Sequence, residues 1–155
     1  QVSNIEFTLA AFVRESNRIE GILRTPYNAE IEAHKRFLQA PAVTVAGLVE
    51  LVSVIQPGAV LRDRLGLNVR IGSHYPMPGS PRVREELEAL LSARLSPWSR
   101  HCAYEILHPF MDGNGRSGRA LWLHDMGGIE RWCCARVPLG FLHTFYYQTL
   151  GRQRE

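Results

Sequence analysis

Apolar residues recur at helical spacing in several separate stretches of the chain and alternate in only one. Ile5, Leu9, Phe12, Val13 and Ile19 keep roughly a 3.6-residue period, and Ser3-Asn4-Ile5-Glu6 before them is a capping-box pattern. With Gly21 placed to end it, a helix of roughly 16 residues is predicted within 3–21. Tyr27 to Gln39 reads as a second helix, stopped by Pro41, with His34 on its surface. Thr44 caps a third, whose apolar face is Val45, Leu48, Val49, Val52 and Ile55 and which ends at Pro57-Gly58. Ser80-Pro81 and Ser96-Pro97 each pair an N-cap serine with proline at the first helical position, and so open two more helices. The first of these buries Val83, Leu87, Leu90 and Leu91 and turns Glu85, Glu86 and Glu88 to water; the second runs to about Leu107, with Cys102 and Ile106 toward the core. Arg116 to Met126 is helical before the stop at Gly127-Gly128, and Pro138 opens a last helix to about Leu150, packed by Phe141, Tyr146 and Tyr147. Between Leu67 and Pro81 the period changes. Leu67, Val69 and Ile71 alternate with Asn68, Arg70 and Gly72 until Pro76, Pro78 and Gly79 break the run, which fits either a short hairpin or an irregular connection. The fold class is all-α.

At 155 residues, with 45% hydrophobic and 21% charged positions, the chain has the size and composition of one globular domain spanning 1–155. It contains no apolar run of membrane-spanning length and does not open with a signal-type segment, which predicts a cytoplasmic protein; an opening at Gln1 in place of Met is what a fragment would show. Cys102, Cys133 and Cys134 form no CxxC pair, and their odd number argues for reduced thiols. Net charge is +3, and Lys35 is the only lysine, so the positive residues are arginines scattered along the chain. Scattered rather than striped, they give only weak support to a nucleic-acid face. The six histidines show no metal-ligand spacing, and His101, two turns before His108, reads as structural.

Chemistry concentrates in His108-Pro109-Phe110-Met111-Asp112-Gly113-Asn114-Gly115-Arg116-Ser117-Gly118-Arg119, a loop between two predicted helices. Pro109 disfavours helical geometry at His108, which leaves its imidazole at a helix end. Gly113 and Gly115 let backbone N–H groups turn toward a ligand where a helix begins, and a helix start favours anions. Arg116 and Arg119, three apart, add two planar donors suited to phosphate oxygens. A carboxylate such as Asp112 fits among so many positive groups when it carries a cation, and Mg²⁺ is commonly held by one carboxylate plus substrate phosphates. Asp-Gly-Asn-Gly alone is an ordinary turn; the combination is not.

The stretch satisfies His-x-Phe-x-[Asp/Glu]-Gly-Asn-Gly-Arg-x-x-Arg at every specified position, and so resembles the signature of the Fic family. The resemblance implies a Fic-type helical bundle with a short β-hairpin flap, here 67–80, and a catalytic loop and helix start at 108–119. It also implies a protein adenylyltransferase, which moves AMP from ATP, with Mg²⁺, to a Ser, Thr or Tyr hydroxyl of a target protein docked on the flap. His108 would be the general base and Phe110 the anchor of the loop. Asp112 would hold the metal. Gly113, Asn114 and Gly115 would line the anion hole, with the Asn114 amide on the α-phosphate. Arg116 would meet the β-phosphate and Arg119 the γ-phosphate. His74 and Tyr75 at the flap tip are candidate contacts for target or nucleotide.

Ser16-Asn17-Arg18-Ile19-Glu20-Gly21 fits Ser/Thr-x-x-x-Glu-Gly/Asn. Alone, this is a solvated glutamate before a C-cap glycine. Beside the longer motif it resembles the inhibitory helix of Fic proteins that carry their inhibitor at the N-terminus. Glu20 would then pair with Arg119 in the space of the γ-phosphate, with Ser16 tying the helix down and Gly21 closing it. The same likeness leaves two alternatives: removal of AMP from a modified protein with the help of Glu20, or a nucleotide-binding regulatory or toxin–antitoxin protein. A homo-oligomer is left open.

Overall fold

The structure is a computed structural model that describes residues 4–130, with side chains from Thr8 onward. The expected helix from Pro138, with Phe141, Tyr146 and Tyr147, lies outside the described residues, as do Cys133 and Cys134. Six named helices follow in order: α1 (Asn4–Ile19), α2 (Asn28–Gln39), α3 (Val45–Ile55), α4 (Pro81–Ser92), α5 (Pro97–Leu107) and α6 (Asn114–Asp125). Among the described residues the only β-pairings are two isolated bridges, Leu61 with Phe110 and Ile71 with His74, so the fold is mostly helical. No described helix is long and apolar enough to cross a membrane.

Local signals account for most of these boundaries. Thr44 Oγ1 accepts the Gly47 N–H at 3.0 Å to start α3, and Ser96 Oγ accepts the Ser99 N–H at 3.2 Å to start α5. At the end of α1, Ile22 N–H reaches the Asn17 carbonyl at 3.0 Å and Gly21 N–H the Arg18 carbonyl at 2.9 Å, with Gly21 at φ 77°. This is a Schellman termination, and it puts Glu20 at the C-cap.

Helix α6 is the most enclosed element although its mean hydropathy is low. It packs against α1, α2, α3 and α5, and nine of its twelve residues are buried. Its crossing with α5 is close at Gly118, where a Cβ would lie 2.3 Å from Glu105 Oε1 and 3.1 Å from the Tyr104 ring. The larger apolar core joins Phe37, Leu48, Leu51, Val52, Ile55, Leu87, Tyr104, Phe110 and Leu121, with a second cluster of Leu9, Phe12, Val13, Trp122 and Leu123 under α1.

Several expectations change. Val49 and Ile106, expected on core-facing positions, are 39% and 41% exposed. His34 is not a surface residue: it is 1% exposed, its Nδ1 lies 2.7 Å from the Glu30 carbonyl, and its ring stands edge-on to Phe12. Helix α6 begins at Asn114, two residues earlier than expected, because Gly113 takes a left-handed cap at φ 80°. The 67–80 stretch forms no β-ladder. Ile71 and His74 exchange N–H to carbonyl bonds of 3.0 and 2.8 Å across one tight turn, and beyond it Pro76 and Pro78 bring no N–H to extend the pairing.

Candidate functional site

The loop between α5 and α6 opens onto a cleft of about 410 Å³. Its walls are His108, Asp112, Gly113, Asn114, Gly115 and Arg116 from the loop and α6, Glu20 and Ile22 from the end of α1, Gln56 from the end of α3, and Ile71. The sequence motif and the Ser16–Gly21 pattern, about a hundred positions apart, therefore meet at one place.

His108 is the only residue other than glycine with positive φ among the described residues (φ 51°, ψ 64°), and it caps α5. Such a conformation costs on the order of 1 kcal/mol or more and persists only where neighbouring structure enforces it. Its Nδ1 lies 3.3 Å from the Glu105 carbonyl. A carbonyl can only accept, so Nδ1 carries the proton and a neutral ring keeps its lone pair on Nε2. Phe110 is 1% exposed in the main core and fixes the middle of the loop.

Asn114 lines the cleft while its side chain is bonded within the loop. That side chain accepts the Phe110 N–H at 2.9 Å and donates to the Phe110 carbonyl at 2.7 Å, so the carboxamide clamps the loop. What α6 offers the cleft is its first turn of backbone N–H groups, which have no acceptor within a helix. Asp112 is exposed, and its Oδ1 accepts the Gly113 N–H at 2.7 Å. At Gly113 the positive φ, and a Gln56 Cβ that would lie 3.3 Å from an added Cβ, favour glycine.

The two arginines are held differently. Arg116 is 3% exposed and donates to the Ile55 carbonyl at 2.8 Å and to Gln56 Oε1, at the end of α3. Burial lowers its pKa, while the nearby charges of Glu20, Asp112 and Glu30 oppose that change. A guanidinium remains protonated there at neutral pH. Arg119 is 1% exposed and points at the end of α1: Nε donates to Ser16 Oγ (2.8 Å), and Nη2 donates to the Ser16 carbonyl (2.9 Å) and to Glu20 Oε1 (2.7 Å). The Glu20 side chain is 35% exposed. Gly115 makes room for that carboxylate, since a Cβ there would lie 2.2 Å from Glu20 Oε1.

Sequence reasoning singled out neither Gln56 nor Arg62. Gln56 carries no pattern signal beyond standing before Pro57-Gly58. Arg62, in Arg62-Asp63-Arg64, reads as surface charge, yet it is wholly buried behind the His108 loop. Among the described residues no group of three or more His, Cys, Asp or Glu is arranged to hold a metal by protein ligands alone. No protein-family model matches the chain, and no curated protein matches it.

Proposed function

We propose that the chain is an autoinhibited protein adenylyltransferase of the Fic type. The observation that carries this reading is the contact between Glu20 and Arg119 beside His108. An intact phosphate-binding motif has its second arginine occupied by a carboxylate from a separate element, at 2.7 Å. A carboxylate and a phosphate oxygen compete for the same guanidinium, and a charge-assisted hydrogen bond to a buried arginine is strong enough to bias that competition.

In the proposed reaction the triphosphate lies over the first turn of α6. Backbone N–H groups at Asn114 and Gly115 meet the α-phosphate, where negative charge grows in the transition state, while Arg116 and a released Arg119 bind the outer phosphates. His108 Nε2 takes the proton of a target Ser, Thr or Tyr hydroxyl as its oxygen bonds to the α-phosphorus. The bond from that phosphorus to the bridging oxygen breaks, and pyrophosphate leaves. The lone carboxylate of Asp112 suits a metal that takes its remaining ligands from phosphate oxygens, and Mg²⁺ so held would neutralise phosphate charge. The 67–80 segment, with His74 and Tyr75 near its turn, is the proposed dock for the target.

Glu20 lines the same cleft as His108, which favours one second reading, the removal of AMP by a water that Glu20 orients. The test uses ATP labelled at either the α- or the γ-phosphate, with Mg²⁺, Glu20→Gly protein and a cell lysate. Protein-bound label from the α-position alone supports adenylyl transfer; label from the γ-position, or from neither, rejects it.

A further inference from the structure

The left-handed conformation of His108 has an identifiable cause. Three consecutive carbonyls at the end of α5 and in the following loop accept from a single residue. Arg62 Nη2 donates to Leu107 O at 2.9 Å, its Nε to His108 O at 2.7 Å, and its backbone N–H to Pro109 O at 2.8 Å. The carbonyls at a helix C-terminus lack intrahelical donors and attract cations, so a guanidinium fork satisfies them well. The same fork also reaches away from the loop. Arg62 Nη1 donates to Met77 O at 2.7 Å and to Leu67 O at 3.2 Å, the two sides of the 67–77 excursion. A separate clip closes that excursion at its base, where Asn68 Oδ1 accepts the Gly79 N–H at 2.9 Å. Gly79 packs so closely that a Cβ would lie 2.4 Å from Leu67 O.

We propose that Arg62 is a positioning residue for His108, through which the placement of the 67–79 segment sets the orientation of the imidazole. A buried guanidinium whose side-chain partners are all main-chain carbonyls of two segments transmits any shift of one to the other, because its planar fork is rigid. On the adenylyltransferase reading, on which the choice of His108 rests, docking a target on this segment and aligning the base become one event. Arg62 itself touches neither nucleotide nor hydroxyl, so it changes turnover without changing ATP affinity.

The test uses two variants, each alone and in the Glu20→Gly background. Asn68→Ala removes the clip from an exposed side chain and leaves the bonds of Arg62 to residues 107–109 in place. Arg62→Lys keeps charge and loses the fork. Nuclear magnetic resonance follows the His108 ring nitrogens through a pH titration, with Glu20, Asp112 and Arg116 as the charged groups lining the same cleft. Hydrogen exchange at Ile71 and His74 reports the segment. The expected result is faster exchange in Asn68→Ala together with a His108 midpoint shifted by about half a pH unit or more. Arg62→Lys should shift it as well. In the Glu20→Gly background both variants should lower kcat for protein substrate by about tenfold, the equivalent of 1.4 kcal/mol, with ATP affinity unchanged. Faster exchange in Asn68→Ala with an unmoved His108 titration overturns the proposal, because the segment would then loosen without reaching the base. If Arg62→Lys fails to fold, Asn68→Ala decides together with His74→Ala, which removes the other bond from this segment to α5, between His74 Nε2 and the Ile106 carbonyl at 3.0 Å. A His108 titration that moves in His74→Ala and not in Asn68→Ala overturns the proposal. A shifted titration in a protein that transfers no label would support the role of Arg62 and reject the transferase reading.

Discussion

Removing the Glu20 carboxylate should tighten ATP binding by an amount that the geometry bounds. Glu20 makes one 2.7 Å bond to Nη2 of Arg119, an arginine that is 1% exposed, and its own side chain is 35% exposed. A hydrogen bond to a charged group contributes about 1.5–3 kcal/mol, and partial exposure of the carboxylate favours the lower half of that range. With about 2 kcal/mol holding the Glu20 carboxylate on Arg119, only roughly one molecule in thirty has the Glu20 side of the guanidinium open to a phosphate, and the apparent Kd is weakened by that fraction. Glu20→Gly should therefore improve ATP affinity about 10- to 50-fold in titration calorimetry with Mg²⁺, and Glu20→Gln should fall between it and wild type. Arg119 keeps its two bonds to Ser16 in both variants, so the fold should survive. Adding Arg119→Ala to Glu20→Gly should return affinity to near the wild-type level. A change of less than about twofold in Glu20→Gly would refute the competition, since it would mean that closure costs less than about 0.4 kcal/mol.

Other substitutions test the surroundings of the site. Gly115→Ala places a Cβ 2.2 Å from Glu20 Oε1 and should destabilise the wild type by about 1–2 kcal/mol in urea unfolding, but far less in Glu20→Gly; equal costs in the two backgrounds would mean that Gly115 does not accommodate Glu20. Asn114→Asp keeps the acceptor for the Phe110 N–H but faces the Phe110 carbonyl with a carboxylate in a buried position. It should cost about 2–3 kcal/mol, and a neutral result by thermal unfolding would contradict the clamp. Burial lowers the His34 pKa from 6.5 to about 4, against the bond to the Glu30 carbonyl and the charge of Glu30, which raise it, and with Arg116 and Arg119, which lower it further. Below pH 6.5 the unfolded chain then binds a proton that the folded state refuses. Stability present above that value should decline toward pH 4, by about 2 kcal/mol at pH 5 relative to His34→Gln, and parallel pH profiles of the two proteins would refute this.

Where the chain's own bonds decide, the sequence is readable. Thr44, Ser96 and Gly21 stand where caps are needed, and α3, α5 and the end of α1 form there. The start of α6 is harder to read because Asn114 and Gly115 have low helix propensity, and the helix holds through burial and the Phe110 clamp instead. His34 looked polar enough for the surface, yet the Glu30 carbonyl four residues earlier satisfies one ring nitrogen and lets the ring sit behind Phe12. Alternation over 67–71 suggested strands, but alternation cannot say whether a partner strand exists, and the segment is held by Arg62 and Asn68 instead. The site residues were legible only through the motif. Nothing in periodicity brings Glu20 to Arg119, and Arg62 is invisible because its partners are carbonyls, which every residue has.

The most direct test of the central claim is the intact mass of three proteins incubated with Mg²⁺ and ATP: wild type, Glu20→Gly and Glu20→Gly/His108→Ala. The expected result is an added AMP, on the protein itself or on a target in lysate, for Glu20→Gly alone, with ATP affinity retained in the double variant. AMP addition by wild type at the same rate would contradict the inhibitory role of Glu20, and addition by the double variant would contradict His108 as the base.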